Sequence, residues 1–420
     1  MHTLDLPGNP PYAISMSTHE PARFLDRTTP PHIFTLILVT GLGALSMNIF
    51  LPSLPAMTDF FATDYRLMQL SVSLYLLVNA VLQILIGPIS DRFGRRPVIL
   101  GGTALFMLAT IGCLAASTVE VFLFFRMMQA VIVTGLVLGR AVVRDMHEEA
   151  EAASKIGYVT MGMAVVPMIG PGIGGVLEQS MGWQANFWLL LLLGGAILAL
   201  VWADLGETAR TSTSSLPEQI AEYPELLTSR RFWGYCATAA FASGAFFSYL
   251  GGAPYVGSEV FNLSAAQVGF YFGAPAVGYF FGNGISGRYS TRVGINGMIL
   301  WGTIVTAVGM TLSLIFMILG IQTPFVFFGF MTFVGFGNGM VLPNATSGML
   351  SVRPHLAGTA SGLGGAIMLL GGAAMSALAG AVLTEGTGAY PLVIIMLITS
   401  LLSVFSIVYT VRREQQVAQT

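Results

Sequence analysis

Arg126 stands in "FLFFRMMQAVIVTGLVLGRAVVRD", the only charge deep inside any long apolar run of this chain. Gln129 follows three residues later and shares its helical face. A guanidinium offers five donors and does not deprotonate in proteins. The pair can therefore bind or repel charge, but it cannot pass a proton. Burying such a group costs roughly 3 kcal/mol on insertion scales, and intramembrane charges usually face a pathway. Arg140, Arg144 and Asp145 close the same run. A second cluster, "GPISDRFGRRPVIL" at 87–100, sets Asp91, Arg92, Arg95 and Arg96 around Gly94, between two apolar stretches. Just ahead of it Tyr75, Asn79, Gln83 and Gly87 recur every four residues as one polar stripe, read as lining a cavity. No acid lies mid-run, and the five histidines (2, 19, 32, 147, 355) fall outside the apolar runs or at their edges. An intramembrane enzyme would need a nucleophile, acid–base or metal groups there. No G-x-x-x-x-G-K nucleotide loop occurs either. The reading is passage of a small molecule, with no enzyme activity, metal or ATP drive.

These residues need elements to hold them, and composition names the solvent. Of 420 residues, 54% are hydrophobic and 9% charged, where a soluble chain carries about a quarter charged. Mean hydropathy is +0.75. Twelve apolar stretches are expected to cross a bilayer: 33–53, 67–87, 97–117, 119–141, 157–178, 182–203, 231–254, 265–286, 296–319, 323–346, 357–383 and 387–411. The longest polar break, 204–230, divides them into two sets of six. Of the 18 basic residues, sixteen fall on one side, leaving Arg66 opposite and Arg126 within a span. The positive-inside rule makes that side cytoplasmic, with both termini on it. The expected organisation is a cytoplasmic, disordered tail over 1–32 and a six-helix bundle over 33–203. A central loop over 204–230, a second bundle over 231–411 and a short tail over 412–420 follow. Net charge is −2 and the basic clusters sit at membrane edges, so no nucleic-acid partner is expected. Cys113 and Cys236 lie inside apolar runs and read as buried small hydrophobes.

The motifs narrow the family. "DRFGRRP" resembles the loop motif of the major facilitator superfamily, and "GISGRYSTRVG" at 284–294 is a degraded echo with Gly287 where the acid would stand. Duplicated halves are expected of secondary transporters. The resemblance implies that Gly87, Asp91, Arg92, Gly94, Arg95, Arg140, Arg144 and Asp145 form a cytoplasmic gate, a latch between the halves. The R-x-x-Q of Arg126 and Gln129 resembles the superfamily's span-four motif. "GMAVVPMIGPGIGG" at 162–175 resembles its antiporter motif, which implies roles for Gly162, Pro167, Gly170, Pro171, Gly174 and Gly175 at the interface of spans five and eight. "NIFLPSLPAMTDFF", "RAVVRD", "GWQANF" and "FFSYLGGAPYV" look like the Bcr/CflA group of bacterial drug exporters, in the same order along nearly the whole chain. The implied protein is an all-α inner-membrane transporter of twelve helices in two six-helix bundles. It is a monomer in the lipid bilayer and exports small molecules by alternating access. Phe246 and Tyr249 are candidates to stack on a flat substrate.

One departure bears on energy coupling. The group usually has an aspartate where this chain has Asn48. At about 1.5 Å per residue, Asn48 and Arg126 fall at similar depths, so contact between them is expected. An aspartate there could trade a proton against the arginine, and asparagine cannot. The expectation is a cavity of fixed positive charge that favours neutral or anionic substrates. Proton coupling, with no other cofactor, remains open to the substrate itself or to Asp91 or Asp145.

Overall fold

A computed structural model describes residues 23–29, 31–146, 166, 169–208, 224–353, 356–384 and 386–419. Among these residues the regular structure is helical throughout, with no strand. Nine of the helices are long and apolar enough to cross a membrane. Span one is Ile33–Asn48, broken at Ile49–Phe50 and resumed as Leu54–Phe60. Span two is Tyr65–Phe93 and span three Arg95–Ala115. Span four is Val119–Gln129 and Val133–Met146, joined by a tighter 3-10 turn at Ala130–Ile132. Span six is Gln184–Asp204, span nine Ile295–Ile318, span ten Pro324–Val352, span eleven Ala357–Val382 and span twelve Tyr390–Gln419. Three of the twelve expected spans fall outside the nine. Span seven is the helix Arg230–Tyr255, and span eight is Ala265–Tyr271 followed by Ala274–Val293. Both are rich in glycine, serine and tyrosine, which carry little hydropathy. Span five is described only at 166 and from 169 to 181.

Local chemistry fixes where the helices begin. Thr118, Ser229 and Thr323 each accept a hydrogen bond from a first-turn amide of the helix they precede, and Ser264 forms a full capping box with Gln267. Spans two, eight, ten and twelve run past their expected ends at 87, 286, 346 and 411. Hydropathy marks only the part immersed in hydrocarbon, and a helix has no reason to stop there. Between spans two and three Gly94 takes φ +93°, and between eight and nine Gly294 takes φ +79°. Both junctions turn at a glycine, and positive φ is why; in the second half the turn falls four residues beyond the place of Gly94 in the echo, where Ser290 stands.

The packing repeats as well. Spans one and four, one and six, two and four, three and four, and three and six pack together in the first half. Adding six to each number gives pairs that pack in the second: seven–ten, seven–twelve, eight–ten, nine–ten and nine–twelve. The fold is therefore two bundles of one design. Among the described residues the halves meet chiefly along spans two and eleven. We call the end carrying Arg95, Arg96 and the exit of span six the basic end, and the opposite one the far end.

At the basic end, residues 23–29, expected within the tail, make turns, and with 31–32 they dock on the exit of span six. Asp204 is fully buried and accepts from Leu25 N (2.7 Å), His32 N (2.9 Å) and Thr35 Oγ1 (2.6 Å). Each hydrogen bond to a charged group contributes about 1.5–3 kcal/mol net. Asp204→Ala leaves three donors unanswered, the Thr35 hydroxyl among them buried. It is expected to lower the unfolding midpoint of the detergent-purified protein by several degrees, and Asp204→Asn by less; thermal unfolding monitored by circular dichroism checks both.

Candidate functional site

Arg126 is 1% exposed, and the bundle supplies what water would. Its Nη2 donates to the Ser46 carbonyl at 2.9 Å and its Nη1 to Ser46 Oγ at 3.3 Å. Nη1 also meets Gln129 Oε1 at 2.8 Å, and Nε meets the Ser71 carbonyl at 3.3 Å. Four of five N–H donors are thereby used. The guanidinium carbon lies over two aromatic rings, Phe50 at 4.3 Å and Tyr75 at 4.1 Å from the ring centroids. That is a double cation–π arrangement in a desolvated place, where each contact contributes about 2 kcal/mol. No carboxylate pairs with Arg126 among the described residues. The break in span one makes the geometry possible. A helix end leaves its last carbonyls open, and Ser46 is one of them. Gln129 passes the network on, donating Nε2 to Thr110 Oγ1 of span three at 2.8 Å. One arginine thus ties spans one, two and four, and through Gln129 span three.

Asn48 is buried at the same level but turns back on its own helix, donating to the Ala44 carbonyl at 2.8 Å and leaving its Oδ1 without a partner. The position next to Arg126 is taken by Ser46 and Phe50. Ser71 Oγ and Ser73 Oγ are also buried and unpartnered. The stripe on span two is joined by a hydrogen bond from Gln83 Nε2 to Asn79 Oδ1 at 3.3 Å. Gln83 reaches Gly365 of span eleven. Tyr249 is fully buried within the second bundle, its ring 4.6 Å from Phe272 and 6.3 Å from Phe328. Phe246 is half-buried beside Phe247.

Two residues absent from the sequence reading join the halves at the far end. Tyr65 Oη donates to the Gly251 carbonyl at 2.9 Å. Gln69 Nε2 donates to the Ser376 carbonyl at 2.6 Å and to its Oγ at 2.8 Å. A stripe of period four turns about 40° around the helix at each step, whereas the real contact line follows 3.6. Run upstream from Tyr75, the stripe reaches Ser71 and misses Gln69.

The charged cluster at the basic end is built within the first half. Arg95 pairs with Asp91 at 2.6 Å and with Asp145 of span four at 3.1 Å, and also bonds Ser90 Oγ. Arg96 donates to the Leu205 carbonyl at 2.7 Å and the Trp202 carbonyl at 3.0 Å. Glu207 caps span three, accepting from Arg95 N at 2.8 Å and Arg96 N at 3.3 Å. A Cβ on Gly94 would strike that carboxylate. Arg92 is exposed beside Phe93, Arg140 turns to the Leu136 carbonyl, and Arg144 is exposed. Gly87 faces open space.

In span five, Gly170 lies against Leu45 of span one, and a Cβ on Gly174 would run into the Ile49 carbonyl. A Cβ on Gly175 would meet the Ala265 carbonyl of span eight, and Pro171 O lies against Gly269. These small residues let backbones touch, Gly170 and Gly174 against span one within the first half, and Gly175 and Pro171 against span eight where the halves meet. Gly162 and Pro167 lie outside the described residues.

The Major Facilitator Superfamily model matches residues 36–376 and, in a second match, 261–420. The chain belongs to the major facilitator superfamily. Two superfamily relatives are informative. A chloramphenicol resistance protein of Pseudomonas aeruginosa is 31% identical over 338 residues, covering 78% of this chain and 79% of the relative. Multidrug resistance protein D of Escherichia coli (strain K12) is 28% identical over 369 residues, covering 87% and 92%. The Bcr/CflA resemblance agrees with these relatives. Among solved structures, a bacterial homolog to the human lysosomal transporter Spinster, in an inward-facing and occupied conformation, superposes with a TM-score of 0.69. It is 16% identical and the match covers 91% of this chain and 96% of that one, which speaks to the fold alone.

Two substitutions probe these contacts. Asp91→Asn removes the carboxylate from Arg95 and is expected to leave membrane insertion intact while reducing transport severalfold in vesicles. Gly174→Leu forces span five off the Ile49 carbonyl; loss of transport at normal expression is the expected outcome, and unimpaired transport would count against the interface.

Proposed function

We propose that this protein is a secondary active exporter of drug-like or small metabolite molecules in the bacterial inner membrane, driven by an ion gradient. The basic end is cytoplasmic, with both termini there. The bodies that rock are the bundles 33–203 and 231–411, linked by 204–230. The observation that carries the reading is likeness along about four-fifths of the chain to a chloramphenicol resistance protein, on a fold of two repeated bundles. Tyr65 and Gln69 support alternating access. Their hydrogen bonds cross between the halves at the far end, so that end opens only when they break.

The substrate path runs between the halves along the Asn79–Gln83 face of span two, with Phe246 opposite. Arg126 acts there through its field, because Phe50 and Tyr75 both lie against it. A buried charge in low dielectric is felt at several ångströms: at 4 Å and an effective dielectric of about 20, two unit charges interact by about 4 kcal/mol. With asparagine at 48, no acid offsets it at that level. A cation therefore meets repulsion, and neutral or anionic molecules are favoured. Asp91 and Asp145, both paired with Arg95, are the acids placed to carry proton traffic at the gate. The same charge suits a second reading, an importer or facilitator of a small neutral or anionic solute; counterflow distinguishes the direction, and a transporter-like receptor would bind without exchange.

The test is transport in proteoliposomes with and without an imposed pH gradient. Arg126→Ala should lose at least tenfold, because spans one, two and four lose their common donor. Asn48→Asp should show steeper pH dependence than the native chain. Robust export of a permanent cation by the native protein, abolished when the pH gradient collapses, would overturn the fixed-charge reading.

A further inference from the structure

Beside the crossing of spans five and eight, the flank of the molecule is hollow. A cavity of about 1370 Å³ opens sideways between spans five, eight, nine and ten. It exceeds the roughly 300–1,000 Å³ of a drug-sized pocket. Ile173 of span five forms one wall, Phe270 and Tyr271 of span eight another, and Phe325, Phe328 and Phe333 of span ten the floor and rim. Phe270 is 79% and Phe325 76% exposed. The Tyr271 ring stacks on Phe328 at 5.2 Å and 17°. Glycine makes the hollow: Gly172, Gly273 and Gly329 line it without side chains, and a Cβ at Gly329 would meet nothing. Span eight is interrupted at Phe272–Gly273, in the wall itself.

Depth says what meets this opening. Phe325 is the second residue of span ten, and Phe333 lies eight residues on, about 12 Å deeper at 1.5 Å per residue. The cavity therefore runs from the membrane edge through the far half of a hydrocarbon core about 30 Å thick. Its lining contains no charged residue, and its only side-chain polar groups are the Tyr271 and Thr332 hydroxyls. An ionic ligand or a headgroup finds nothing to pair with. Hydrocarbon chains are the material the surrounding bilayer presents to a lateral, apolar opening at this depth. The hollow is also continuous with the interface of the halves. Gly172 lies against Gly269 across it, so one wall belongs to the first bundle and the others to the second.

We propose that an acyl chain of a phospholipid in the leaflet at the far end occupies this groove and braces the two halves in the arrangement described here. A ligand shifts a conformational equilibrium by its differential affinity for the two states. A chain touching both bundles loses one wall when spans five and eight part, so it favours closure of the far end. Membrane composition then sets the balance between closed and open far ends without any contact to the substrate path. That consequence rests on the alternating-access reading, whereas occupancy of the groove rests only on the membrane fold.

The experiment is native mass spectrometry of the full-length protein in detergent, with dioleoyl phosphatidylethanolamine added back. Gly329→Leu fills the groove, and Gly101→Leu adds the same bulk at an exposed position of span three where a Cβ also meets nothing. Lipid retention is expected to fall at least threefold in Gly329→Leu and to stay native in Gly101→Leu. Val176→Phe, on the exposed wall of span five, is the second filling variant if Gly329→Leu does not fold. Native retention in the folded filling variant, or equal loss in Gly101→Leu, would overturn the site and leave only annular lipid. Gln69→Leu removes the closure at the far end without touching the groove. Reduced retention there supports the brace, and native retention would overturn the brace even if transport is intact.

Discussion

A buried positive charge with no negative partner among the described residues is the constraint around which the first bundle is organised. Arg126 must be satisfied by neutral groups, and neutral acceptors are scarce among helices whose carbonyls are already bonded. The break in span one after Asn48 frees the Ser46 carbonyl. Phe50, carried on that same break, and Tyr75 both lie against the guanidinium. The break also brings the Ile49 carbonyl to the surface of span one, where Gly174 of span five lies against it. The arginine of span four, the interruption of span one and the glycines of span five are therefore one device. Moving any of them exposes a buried polar group, and a buried charge left short of partners is costly.

The two ends of the molecule are held by different chemistry. At the basic end charges dominate: Arg95 joins two carboxylates, Arg96 holds the exit of span six, and Asp204 gathers three donors from the chain ahead of span one. All of this lies inside the first half and makes it a stiff unit. At the far end the contacts between halves are neutral hydrogen bonds and backbone crossings at glycine. Neutral contacts contribute about 1 kcal/mol each, a scale suited to an interface that has to open.

Much of this arrangement was legible in the sequence. Hydropathy found the described spans because hydrocarbon imposes a length, although four of them run six to eight residues past the expected ends. Arg126 stood out because nothing else in the runs is charged. Contacts between distant segments were not legible. Gln69 and Ser376 are 307 positions apart, and no local pattern links them. Equal depth suggested that Asn48 would face Arg126, but depth leaves the angle around the helix free, and the side chain turned to Ala44 instead. Tyr249 looked like a stacking platform, and it packs among Phe272 and Phe328 because an aromatic is equally at home in a core. Asp204 and Glu207 read as the polar edge of a loop, since their partners, backbone amides and for Asp204 also the Thr35 hydroxyl, carry no signature.

The paired turns at Gly94 and Gly294 differ in what surrounds them. A carboxylate sits where a side chain on Gly94 would go, whereas a side chain on Gly294 would enter open space. With φ +93° and ψ 153° at Gly94 and φ +79° and ψ 156° at Gly294, both bends lie in a region open essentially to glycine alone. The backbone by itself therefore holds both positions to glycine, and the carboxylate at the first only adds a second bar to any larger residue there.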